Sequence, residues 1–413
     1  MIYVDFDIPT GAEHILRSLT AAGYEAYLVG GCVRDLLRGA VPHDWDICTS
    51  ARPEETAACF DGCRVLETGL KHGTVTVPAD SVLYEITTYR TDGPYSDGRR
   101  PDFVDFAGRL EQDLTRRDFT MNAIALGLDG GLRDPFGGGS DIRAGLIRCV
   151  GEPARRFRED GLRIMRALRF AAVLGYGVED RTARAIHDCR AMLDRMAAER
   201  VREELCRLLT GQNAGAVLRE YPDVLCRFWP EAVQNDRWKN TLRALEAAPA
   251  DLAVRLAVLL RGAGPAEPLL RKLKFDRSTI MRVVTLAEYA DAPPPRDGKD
   301  VRRWLSRLGP ETFFQLLEVR RAELPGPAPG QAAEPLAELD RLRAEAERLV
   351  AEGHCLVLKD LAVNGRDVIA AGAVPGPAVG RVLNRLLERV LDGELPNRRE
   401  VLLERIKQEL SES

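Results

Sequence analysis

The periodicity of this chain changes once, near Gly151, and that single change restricts the folds open to it. Before it, strand-like apolar runs stand at 26–31, 45–50, 73–79, 81–90 and 121–128. Helical patterns near 11–22, 53–60 and 108–118 separate them. After it, from 153 to 324, nearly every segment carries apolar residues at helical spacing. Breaks fall at Gly175, Gly177, Gly211, Pro222, Pro230, Pro249 and 293–295. A Pro/Gly-rich linker at 324–335 then leads into more helix. The pattern predicts an α+β head with a mixed β-sheet, followed by an all-α neck, body and tail. The expected divisions are a head at 1–150, a neck at 151–212, a body at 213–324 and a tail at 325–413.

Several function classes drop out on composition. No apolar run approaches the roughly 18 residues of a membrane helix, and the N-terminus carries acids where a signal peptide carries bases. The expected location is the cytoplasm, with no membrane partner. Nine scattered cysteines form no disulfide framework, and five histidines offer no paired metal spacing. The net charge of −4 excludes a general basic coat for DNA. Only seven of the 59 cations are lysine; the rest are arginine, whose fork binds phosphate bidentately. Such a bias also follows from a GC-rich genome, so clustering has to decide.

Three segments cluster the chemistry. In 28–50, a strand runs into Gly30 and Gly31, and a helix is expected from about Val33. Adjacent glycines let backbone N–H groups approach a phosphate, and Arg34 in the first helical turn makes sense beside an anion. Asp44 and Asp46 follow as D-x-D entering a strand, where residues i and i+2 share a face. Two converging carboxylates are ligands that suit Mg²⁺. This is neither a dinucleotide fingerprint nor a Walker loop.

In 113–126, Arg116, Arg117 and Asp118 close a helix, an arrangement that fits either a salt-bridged helix end or a grip on ribose or triphosphate. Asp134 in the following DPFGG reads as a turn residue. In 155–172, Asp160, Arg163, Arg166 and Arg169 are spaced by threes on a helix expected to open near Glu159. Each step turns about −60°, so Asp160 and Arg163 share a face while Arg169 lies about 180° from Asp160. Residues 152–210 carry 13 arginines against 10 acids, a local excess suited to RNA.

Taken together, GGCVRD, DWD, RRDFTMNA, DPFGG, EDGLRIMRALRF and ERVREEL resemble the class II tRNA nucleotidyltransferases. That family holds CCA-adding enzymes and bacterial poly(A) polymerases. The tail beginning NGRDVIAAG is similar to that of the shorter members without a phosphohydrolase domain. The resemblance covers essentially the whole chain. It implies that Asp44 and Asp46 hold catalytic Mg²⁺, and that Gly30, Gly31 and Arg34 meet the triphosphate. It further implies that Arg117 and Asp118 hold ribose and phosphates, that Asp160 and Arg163 read the base, and that Arg166 and Arg169 complete the nucleotide pocket.

The implied activity is template-independent addition of CCA to the tRNA 3′ end from CTP and ATP, releasing pyrophosphate. The tRNA acceptor/T arm is the implied partner, gripped by the tail; DNA is not. An acceptor carboxylate beside a donor guanidinium matches both cytosine and adenine and opposes uracil and guanine, whose buried polar groups would be left unpaired. The segment 91–102 is the expected lever for switching from C to A. Poly(A) synthesis and A-only addition are the enzymatic alternatives, and a non-catalytic RNA-binding scaffold is a third reading.

Overall fold

The computed structural model describes residues 7–60, 65–69, 73–93, 104–324 and 333–411. Two compact units result. One comprises Met1–Val233 with Lys272–Lys274; the other comprises Gln234–Arg271 and Phe275–Ser413.

The first unit opens with the helix Thr10–Ala21, whose Ile15, Leu16 and Leu19 are fully buried. Strands follow as β1 (Ala26–Val29), β2 (Asp46–Thr49), β3 (Leu66–Gly69), β4 (Thr74–Ala79) and β5 (Val82–Thr88). Then come β6 (Arg90–Asp92), β7 (Val104–Phe106), β8 (Ala125–Leu126) and β9 (Leu132–Arg133). Seven of them form one sheet in the order β3-β4-β5-β2-β1-β8-β9. Within it β2 and β5 run parallel and the other neighbours antiparallel, so the sheet is mixed as expected. The β1–β2 register pairs Leu28 with Ile47, which sets the turn after β1 beside the start of β2. β6 and β7 make a separate ribbon, so Thr91 and Asp92 of the expected loop are strand residues, and 94–102 lie outside the described residues.

Two sequence expectations change here. The apolar run 121–128 is not one strand: a 3₁₀ turn, Thr120–Asn122, precedes the two-residue β8. The Asn122 amide donates to Asp118 four residues back at 3.0 Å, and Thr120 donates to Asp141 of a later helix at 2.6 Å; both side-chain bonds hold the chain in the turn. The neck helix does not open at Glu159 either. One helix, Pro153–Glu159, ends there, Asp160 is extended, and a second helix runs Leu162–Leu174. The Asp160 carboxylate accepts from the Leu162 N–H at 3.0 Å, capping the new helix and making the break.

The second unit is all helix. Val301, Leu305, Phe313, Leu342, Leu386 and Ile406 belong to one buried core that ties its C-terminal helices together. Its helices Leu252–Leu260, Arg277–Ala290 and Gly298–Leu308 each start on an aspartate, Asp251, Asp276 and Asp297, that accepts a backbone N–H of the first turn. The expected linker is shorter than its sequence signal: Ala333–Ala351 is already helix, and 325–332 lie outside the described residues.

Candidate active site

Gly30 has φ 81° and caps the helix Gly31–Leu37, which starts two residues earlier than its pattern suggested. A Cβ there would stand 3.1 Å from Arg117 Nη1 and 3.6 Å from Asp46 Oδ2. The left-handed backbone is what calls for glycine here, and a side chain would also crowd the end of Arg117. This one turn brings together residues from two separate segments, 28–50 and 113–126.

Asp44 lies in the bend just before β2 and Asp46 opens that strand; both residues are exposed, with buried Trp45 between them, and the charge of Asp44 reaches the Asp46 carboxyl. The pKa of Asp46 is raised: although the residue is exposed overall, desolvation of its carboxyl is the largest cause, Arg117 opposes it, and the charges of Glu85 and Asp44 add to it. Glu85 faces Asp46 across the parallel β2–β5 pair. No cluster of three or more His, Cys, Asp or Glu side chains converges on one point among the described residues. An open pair suits Mg²⁺, which keeps several waters and takes one or two carboxylates together with substrate phosphates. The donor set thus fits a divalent metal held mainly by Asp44 and Asp46.

Glu85 was missed in the sequence because its partner lies 39 positions away; only the strand register joins them. Exchange of Glu85 for Gln removes a like charge, lowers the Asp46 pKa and extends the ionised carboxylate to lower pH. The acid limb of the activity profile is expected to move to lower pH in Glu85→Gln. A limb that stays in place would remove Glu85 from the site.

Arg117 ends the helix region Leu110–Thr115 and pairs with buried Asp113 at 3.2 Å, where Arg116 also binds at 2.8 Å. Burial pushes the Asp113 carboxyl up, but the two guanidinium charges outweigh it and hold the pKa low. Arg117 Nε is buried without a hydrogen-bond partner in the protein, a donor left over beside the Gly30 turn. Asp118 accepts from its neighbour Phe119 N–H at 2.8 Å, from Asn122, and from Arg166 at 2.6 Å. Burial again raises its carboxyl, yet Arg166 and the Asn122 bond bring it down to about 2.

Asp118 is therefore held as an anion by Arg166 and Asn122. A depressed carboxylate contributes stability above its unfolded pKa and loses it as pH falls through the folded value. Asp118→Asn is expected to cost roughly 1–2 kcal/mol at neutral pH, discounted because Arg166 is partly solvated. In melting curves the gap to wild type should shrink as pH drops from about 4 toward 2. A gap independent of pH would contradict the assignment.

The arginines of the second helix do not sit as the wheel suggested. Arg163 donates to Glu159 at 2.8 Å and to the carbonyls of Arg156 and Arg116 at 3.1 and 2.9 Å. Asp160 is paired with Arg200 at 3.0 Å. The proposed base-reading residues are thus close in sequence, held by different partners. Arg166 and Arg169, about 60° apart on the helix, meet at Glu204, at 3.6 and 2.5 Å. Arg34 forks onto Asp35 and donates to Asn122 at 3.0 Å. Asp134 accepts from the N–H groups of Gly138 and Gly139, a structural turn as expected.

Asp113 and Glu159 were within reach of sequence reasoning, three or four residues from their arginines. Glu204 and Arg200 were not, since 35 or more residues separate them from Arg169 and Asp160.

A mixed sheet with a carboxylate pair beside a glycine turn and a bank of arginines suits a site that handles phosphate groups. The Poly A polymerase head domain matches residues 26–148, and tRNA nucleotidyltransferase domain 2 (putative) matches 254–406. The probable RNA and SrmB-binding site of polymerase A matches 175–221. A CCA-adding enzyme of Lactobacillus delbrueckii subsp. bulgaricus is 36% identical over 406 residues, 96% of this chain and 97% of its own. One from Geobacillus thermodenitrificans is 39% identical, covering 94% and 93%. The structure of the Bacillus stearothermophilus CCA-adding enzyme in complex with CTP superposes with a TM-score of 0.79 at 33% identity, covering 97% of each chain. The chain belongs to the CCA-adding enzyme family of tRNA nucleotidyltransferases. Members of this family generally use a divalent metal.

Proposed function

We propose that this chain adds C, C and A to the 3′ end of tRNA from CTP and ATP, with Mg²⁺ as its metal, in the cytoplasm. The observation that carries this reading is the meeting of Gly30, Asp46 and Arg117 at one turn, next to Asp44. When bound, the metal supplies a lowered pKa for the attacking 3′-hydroxyl and neutralises charge on the phosphates. Asp44 and Asp46, at the start of β2, are the residues that would hold it. The orphan donor of Arg117 and the guanidinium of Arg34 take phosphate oxygens, with the Gly30–Gly31 backbone alongside. Before nucleotide enters, Asp118 holds Arg166 and Glu204 holds Arg169.

The same reading assigns base recognition to Asp160 and Arg163. Asp160 accepts from the amino group of cytosine or adenine, and Arg163 donates to the adjacent ring nitrogen. To do so each exchanges a protein partner for the base: Arg200 releases Asp160 and Glu159 releases Arg163. Residues 1–150 act as the catalytic head, 151–212 as the neck, 213–324 as the body and 325–413 as the tRNA-binding tail. Among the described residues no helix is long and apolar enough to cross a membrane.

The test is purified protein with CTP, ATP and tRNA ending before CCA, followed by sequencing of the 3′ ends. Complete CCA ends support the reading. The match to a Poly A polymerase head favours poly(A) synthesis as the second reading, and long A tails in the same assay would establish it. No extension at all would overturn both.

A further inference from the structure

Arg34, Arg166 and Arg169 share one more neighbour. Their guanidinium carbons stand 5.1, 5.6 and 3.9 Å from the centre of the Phe170 ring. The ring is 4% exposed and is braced by Phe119, with centroids 5.8 Å apart and planes at 88°. Around it runs an unbroken chain of polar contacts: Arg34 to Asn122, Asn122 to Asp118, Asp118 to Arg166, Arg166 to Glu204, Glu204 to Arg169. Phe170 touches the first, fourth and last of these residues. Three like charges at such a centre repel one another, and carboxylates alone hold them only through directional bonds.

A triphosphate competes for those same N–H groups. As it enters, each guanidinium gives up carboxylate bonds and turns toward phosphate oxygen. The attraction of a cation for an aromatic face does not use the N–H groups and survives that turn. We propose that Phe170 is a positioning residue for nucleotide binding: it keeps Arg34, Arg166 and Arg169 gathered while they exchange carboxylate for phosphate. This inference rests on the nucleotidyltransferase reading of the site. Phe170 itself meets no reacting atom.

The experiment places mono-, di- and trifluorinated phenylalanine at position 170, which drains the ring face of electron density and nearly preserves its shape. KM for CTP and for ATP is expected to rise stepwise, reaching about tenfold with three fluorines, the worth of one desolvated contact of this kind. Turnover and the CTP-to-UTP preference should hold, because the ring serves phosphates and not the base. Calorimetric titration with CTP should reproduce the steps without turnover. Phe170→Leu should match or exceed the trifluorinated protein; if that leucine variant fails to fold, the fluorinated series still decides. A KM and CTP affinity that stay flat along the series overturn the proposal, as does a fall in turnover alone. Should the wild type extend no tRNA, the functional reading fails, and the CTP titration still judges Phe170 by itself.

Discussion

Asp44→Ala and Asp46→Ala are each expected to lose addition of both C and A, by roughly 10²-fold or more, as for other sites that stabilise developing charge. The loss falls on both nucleotides because the carboxylate pair serves the phosphates, which CTP and ATP share. Folding should be unimpaired or improved, since both carboxylates are exposed and Asp46 already bears the repulsion of Asp44 and Glu85. The check is the rate of single-nucleotide addition at saturating Mg²⁺ alongside a melting curve. Near-normal addition in either variant would take the metal site away from β2.

The second large effect concerns selectivity. Arg163→Ala and Asp160→Ala are each expected to cost about 1–3 kcal/mol in kcat/KM for the correct nucleotides. Both should also admit UTP and GTP more readily, because the groups that oppose those bases are gone. The apo partners add a distinction between the two. Arg163 also ties the second helix to the Arg116 carbonyl at 2.9 Å, so Arg163→Ala should lower the melting temperature as well. Asp160 caps the Leu162–Leu174 helix through one N–H and is otherwise bound to partly exposed Arg200, so its removal is milder for stability. The measurement is kcat/KM for all four nucleotides. Unchanged CTP-to-UTP and ATP-to-GTP ratios would leave both residues as structural contacts.

An Arg200→Ala variant separates the two roles of Asp160. Freed from its protein partner, Asp160 remains available to the base, so affinity for CTP is expected to hold or rise by a few-fold. A loss of discrimination in Arg200→Ala would mean that the Arg200–Asp160 pair, and not Asp160 alone, reads the base. Binding of CTP and UTP measured side by side settles the matter.

Local pattern determined much of this molecule. The apolar run of β1, the alternation of β4 and β5 and the helical spacing beyond Gly151 are all properties of neighbouring residues. The Gly30–Gly31 turn and the D-x-D spacing of Asp44 and Asp46 are equally local. Where sequence reasoning failed, a side chain had competed with the backbone: Asp160 capped a new helix, and Asn122 and Thr120 drew the chain into a 3₁₀ turn.

Tertiary structure alone decided the partners. Glu85 reaches Asp46 only through the β2–β5 register, and Glu204 reaches Arg166 and Arg169 only because the helix Ala198–Thr210 packs on Leu162–Leu174. The helical wheel set Arg169 opposite Asp160, and the two indeed have different partners, Glu204 and Arg200, each supplied by another element. Sequence spacing ranks which residues share a face; the field that each charge feels is set by whatever the fold brings against that face, and Coulomb interaction depends on that distance and not on separation along the chain.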